Sequence, residues 1–112
     1  LYLNKIIYLI TQNKEYSYLS TIFYFSYPYL LGHSFFNVKD IPFMSVWLIC
    51  TYYFIDILIN YLKTKRVKDT KIILLSLVTA YLFSIRISGI LIFIEYLIFI
   101  IIFLSSFKID FK

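Results

Sequence analysis

Apolar residues fall in long runs along this chain, and polar residues gather in short islands between them. Leu1–Ile10 is apolar but spans only about half a bilayer core at 1.5 Å per residue, so it reads as the end of a truncated span. Thr11–Glu15 is a polar turn. Tyr16–Leu31 is a short apolar segment with Pro28 near its end, where proline kinks or stops a helix. Ile41–Leu62, at 22 residues, is the strongest single span, and the charged loop Lys63–Thr70 follows it. Lys71–Phe107 is then 37 residues of almost unbroken apolar sequence. As one helix it would be about 55 Å long, nearly twice the ~30 Å core. A break is therefore predicted at Arg86-Ile87-Ser88-Gly89, leaving segments 71–86 and 89–107. Gly89 tolerates the φ values that end helices and is the expected source of the break. Both segments are somewhat short for a full crossing, which suggests a thin or protein-lined region. The rival arrangement, with Lys71–Ser84 lying in the interface, is disfavoured because that segment lacks a polar face. The expected fold class is all-α: a polytopic membrane helical bundle with about four transmembrane segments plus the end of a preceding one.

Composition strengthens this picture. The chain is 62% hydrophobic, only 15% charged, with mean hydropathy +0.83, well away from the balance of a soluble domain. It begins at Leu1 inside an apolar run, with no basic n-region and no small-residue cleavage site, so a fragment of a longer protein is expected and no signal peptide is read. A single cysteine, Cys50, lies in an apolar run, which excludes an internal disulfide and a thiol metal site and leaves a small buried side chain. The 12 Tyr and 12 Phe accompany many Ile, Lys and Asn. All are encoded by A/T-rich codons, so a low-GC genome explains them better than ligand stacking does. The net charge of +5 comes from basic residues beside apolar runs, which points to membrane topology and away from nucleic acid. Lys63, Lys65, Arg66, Lys68 and Lys71 mark a cytoplasmic loop. Counting spans outward puts Lys14, Lys108 and Lys112 on the same side. The island 32–40 and the break at 86–89 then share the opposite, outer face.

The island Gly32-His33-Ser34-Phe35-Phe36-Asn37-Val38-Lys39-Asp40-Ile41-Pro42-Phe43-Met44-Ser45 carries the main candidate chemistry. Ionisable groups near a bilayer are costly unless they are paired or used. Asp40 precedes Ile41-Pro42 and suits a helix N-cap, a role compatible with a site role. Lys39 either neutralises a phosphate or snorkels. His33 and Asn37 either hydrogen-bond a ligand or serve the loop itself. Arg86 is either a phosphate-binding cation, or it snorkels or pairs with a carboxylate of a neighbouring span. Asp56 and Glu95 fall inside predicted spans. Asp56 lies toward the basic loop, within reach of Lys63 or a neighbour; Glu95 is nearer mid-span, where a carboxylate is a functional candidate by default. The chain has no P-loop, dinucleotide glycine motif, HExxH or Cys/His cluster.

The order of GHSFFNVKDIPFMS, a span, a basic loop and a short helix ending in RISG resembles the polytopic glycosyltransferases of the GT-C superfamily. It is most similar to the dolichyl-phosphate-mannose protein mannosyltransferase-like group, which includes the aminoarabinose lipid A transferases. The resemblance covers about residues 2–107. It implies transfer of a sugar from a polyprenyl-phosphate-linked donor to a lipid, glycan or protein acceptor at the extracytoplasmic face. Asp40 would be a supporting acidic catalytic residue and, if a divalent metal takes part, the residue to hold it. Lys39, Arg86, His33 and Asn37 would bind substrate. The group's usual catalytic acidic loop would lie upstream of Leu1. The expected location is a multi-pass position in a bacterial inner membrane, with membrane lipids as partners and no nucleic acid. Two other classes stay open: a transporter or flippase using Glu95 and Asp56, and a small structural membrane subunit.

Overall fold

A computed structural model describes residues 2–29, 32 and 39–109, and all regular structure among them is helical. The helices are α1 (Tyr2–Thr11), α2 (Lys14–Ser26), α3 (Asp40–Thr64), α4 (Asp69–Ile85) and α5 (Ile92–Ile109), with a 3₁₀ segment at Ile87–Leu91. The all-α class expected from the sequence is therefore found.

Each boundary has a local cause. Thr11-Gln12-Asn13 turns α1 into α2, with Gln12 left-handed at φ 54°. Asn13 then caps α2, its side-chain oxygen accepting from the Glu15 N–H at 2.8 Å. The buried Ser17 hydroxyl donates to the Asn4 carbonyl at 2.6 Å, tying α2 to α1. α2 stops at Ser26 because Pro28 follows. The residue before a proline is pushed out of the helical region, and Tyr27 is extended at φ −72°, ψ 112°. α3 ends on Lys65, left-handed at φ 55°, whose N–H donates to the Tyr61 carbonyl at 2.8 Å.

The apolar run 71–107 is not one helix. α4 ends at Ile85, and Arg86 is extended at φ −157°, ψ 133°. The chain re-enters helical geometry through the 3₁₀ segment, where the Gly89 N–H donates to the Arg86 carbonyl at 3.0 Å. The break falls at the predicted tetrapeptide, but its source differs from the expectation. No described glycine has positive φ, and the direction change is made at Arg86. Gly89 is buried for another reason. A Cβ there would lie 3.1 Å from Phe83 Cδ1 and 3.2 Å from Leu82 Cγ, so its small size lets the segment pack against the end of α4.

Two described helical stretches, Asp40–Thr64 and Ile87–Ser105, are long and apolar enough to cross a membrane. That corrects the expectation of about four full segments. α2 has 13 residues, ended early by Pro28, and α4 has 17, bounded by the charged loop and by Arg86. α3 is the central element: α4, α1 and α5 all pack against it, α4 most extensively. Val46 and Cys50 of α3, Leu82 of α4, and Ile92 and Tyr96 of α5 form the buried core, flanked by Phe43, Trp47 and Phe54. Phe54 stacks on Tyr96 with ring centroids 4.1 Å apart.

Candidate functional site

The start of α3 and the end of α4 lie side by side, because two antiparallel helices joined by the short 65–68 loop return the chain to the same end. Asp40 and Arg86, 46 positions apart, meet there: Arg86 Nη1 donates to Asp40 Oδ1 at 2.8 Å. The pair is open to solvent, with side-chain exposures of 57% for Arg86 and 35% for Asp40. Exposure of this order makes it worth little as a stability device and leaves its charges accessible to a ligand.

Asp40 is not the N-cap expected from the sequence. Lys39 holds that position in helical geometry with no side-chain cap, and its carbonyl accepts the Phe43 N–H at 3.3 Å. Asp40 is the first residue of the helix. Its carboxylate sits in the first turn, where the unpaired N–H groups and the helix dipole favour negative charge. Pro42 follows within that turn, where its missing N–H leaves no helical bond unmade. Lys39 is exposed beside the pair. His33 and Asn37 lie outside the described residues.

The structure thus joins Asp40 and Arg86 and sets Lys39 at the same end. Asp40 supplies one carboxylate, already engaged by a guanidinium. Among the described residues no group of three His, Cys, Asp or Glu is placed to hold a metal ion. Asp40, Arg86 and Lys39 therefore do not by themselves make up a protein-held metal site.

The two carboxylates inside the apolar helices have partners. Asp56 forms an ion pair with Lys71 across the α3–α4 contact and accepts from Asn60 Nδ2 at 3.0 Å. The partner is thus Lys71, a full loop away, rather than the nearer Lys63. Glu95, in the first turn of α5, accepts from Trp47 Nε1 and from Thr51 Oγ1, the latter at 2.6 Å. Trp47 and Thr51 sit one helical turn apart on α3, so both donors face the same carboxylate. Beside them, the Thr79 hydroxyl lies 3.8 Å from Cys50 Sγ and 3.4 Å from the Tyr96 hydroxyl. Trp47, Thr51 and Thr79 were not singled out in the sequence. The only signal for them is that a mid-span Glu needs donors, and this chain has one Trp.

In class, the described residues are all-α, with two membrane-length helices and an accessible ion pair at one end of the central helix pair. No family model, curated protein or solved structure matches it.

Proposed function

We propose that this chain is a fragment of a multi-span GT-C-type membrane glycosyltransferase that transfers a sugar from a polyprenyl-phosphate-linked donor at the extracytoplasmic face. The acceptor is a lipid, glycan or protein hydroxyl. The observation carrying this reading is the Asp40–Arg86 pair, which unites the end of GHSFFNVKD with the start of RISG. In the chemistry proposed, an acceptor hydroxyl attacks the anomeric carbon and its proton passes to a carboxylate base. The bond from that carbon to the phosphate oxygen breaks, and the lipid phosphate leaves with the electron pair. Arg86 and Lys39 are the cations to stabilise that leaving charge, and Asp40 orients Arg86. The base is not assigned to a residue of this chain. His33 and Asn37 remain candidate donors to sugar or phosphate.

The membrane setting rests on where the apolar surface lies. Only 17% of the best apolar window in Ile87–Ser105 and 22% of that in Asp40–Thr64 is buried within the protein. Ile94, Leu97, Ile98 and Ile101 of α5 are all more than half exposed. A core helix buries such side chains; here they need apolar cover, and we propose lipid, in a bacterial inner membrane. The transporter reading draws less support, because Asp56 and Glu95 are tied by neighbouring helices rather than left to line a path.

The test is sugar transfer from a polyprenyl-phosphate donor in membranes with matched protein levels. Asp40→Asn and Arg86→Gln should each lower transfer by about tenfold or more, equivalent to ~1.4 kcal/mol of transition-state stabilisation. The exchange Asp40→Arg with Arg86→Asp restores an ion pair but moves the cation, so it should stay as inactive. Recovery of transfer in the exchanged protein would make the pair structural and remove this support for a transferase.

A further inference from the structure

At the opposite end of α3, about 37 Å along a 25-residue helix, the protein has a second polar feature that the transferase reading does not use. The turn from α3 into α4 encloses a cavity of about 470 Å³ whose wall includes Asn60, Thr64, Arg66, Val67, Lys68 and Lys71. Three cations on one wall repel each other unless something negative is near. Asp56 neutralises Lys71. Arg66 and Lys68 form no ion pair among the described residues. The wall thus carries an excess of two positive charges.

The remaining wall residues are already held in place. Asn60 Nδ2 donates to the Asp56 carbonyl at 2.6 Å, and Thr64 Oγ1 donates to the Asn60 carbonyl at 2.8 Å. These bonds fix Asn60 and Thr64 in a wall that is otherwise largely apolar, without drawing on the guanidinium of Arg66 or the ammonium of Lys68. Guanidinium suits a phosphate through paired N–H donors, and lysine adds a mobile charge. The residues that follow the wall residues along both helices are apolar and exposed: Tyr61 after Asn60 on α3, with Ile72 and Ile73 after Lys71 on α4.

We propose that this cavity binds a phosphate-ester anion, with Arg66 and Lys68 as its ligands. The adjoining apolar surface favours the phosphate of a lipid headgroup, whose chains would lie against Ile72 and Ile73. Free phosphate has the same recognition chemistry, and the experiment separates the two. The site is independent of Asp40 and Arg86, so it stands or falls apart from the transferase reading.

The test is titration of the detergent-solubilised full chain with short-chain phosphatidic acid and, separately, with inorganic phosphate. Arg66→Gln with Lys68→Gln should weaken binding about tenfold or more, from the loss of two surface cations. Lys63→Gln with Lys65→Gln removes the same charge from residues off the cavity wall and should change affinity less than about threefold. Val67→Trp fills the cavity with charge unchanged and should weaken binding as much as the Arg66/Lys68 pair does. Preserved helicity in each variant excludes misfolding. Tighter binding of the lipid than of phosphate assigns the site to a headgroup, and equal binding assigns it to a free phosphate ester. Equal losses from the two double variants, or undiminished binding in Val67→Trp, would overturn the site.

Discussion

Gly89 and Lys65 show how one residue's backbone and bulk decide a local outcome. Gly89 has no left-handed backbone to protect, but a Cβ there would press on Leu82 and Phe83 at 3.1–3.2 Å, so both side chains would have to give by a few tenths of an ångström. Gly89→Ala should destabilise the chain by about 1 kcal/mol through overpacking, part of it relieved by movement of the Phe83 ring. Lys65 is the converse. It is exposed and left-handed at φ 55°, where a Cβ is unfavourable and glycine is at ease. Lys65→Gly should stabilise by roughly 0.5–1 kcal/mol, less what is lost with the Lys65–Tyr61 cation–π contact. Denaturant titration in detergent reads both, and the same sign for both would contradict the geometry. The two sites also mark the limit of sequence reading. RISG was legible as a break because a charge and a glycine interrupt apolar sequence. Which property of the glycine matters depends on Leu82 and Phe83 lying against it. Nothing in Thr-Lys-Arg distinguishes Lys65 as the left-handed residue.

Between elements, the α3–α5 contact depends on a carboxylate held by two donors from one helix face. Truncating either side leaves polar groups unpaired where water is scarce, at about 1–3 kcal/mol per group. Trp47→Phe and Glu95→Leu should therefore be non-additive. In a double-mutant cycle the coupling should fall near 0.6–1.7 kcal/mol, the scale of hydrogen bonds between membrane helices. Additive losses would mean that the bond contributes nothing. Helix stops were legible wherever the cause was local: Pro28 ends α2 through Tyr27, and the polar residues after Leu62 end α3. Pairings across the bundle were not, because Trp47 and Glu95 are 48 positions apart and periodicity carries no register between helices. The meeting of Asp40 with Arg86 is intermediate. Placing both islands on one face required only the order of elements, whereas the ion pair required the close packing of α3 on α4.

For the whole molecule the decisive element is α4. Its 17 residues make a helix of about 26 Å, slightly short of a ~30 Å core, and it has the basic loop at one end and Arg86 at the other. If it lay on the surface, Arg86 and the 63–71 basic cluster would share one side of the membrane. With Asp40 held to Arg86, both ends of α3 would then lie on the side of the basic loop and α3 would not cross. Two features favour crossing. Ile73, Leu77 and Tyr81 expose more than half of their surface, and α4 has no polar face to present to water. The shortfall is small enough for local thinning of the bilayer to absorb. Under the membrane setting proposed above, the excess of Lys and Arg at 63–71 would set the loop in the cytoplasm. Single cysteines placed at Thr70 and at Ile87, which is 88% exposed, in a Cys50→Ala background report the two ends of α4. An impermeant thiol reagent added to intact cells should label Ile87→Cys at once and Thr70→Cys only after permeabilisation. Labelling of both from outside, or of neither, would lay α4 along one face. The reverse pattern would keep the crossing but turn the Asp40–Arg86 pair toward the cytoplasm, away from any outer-face acceptor.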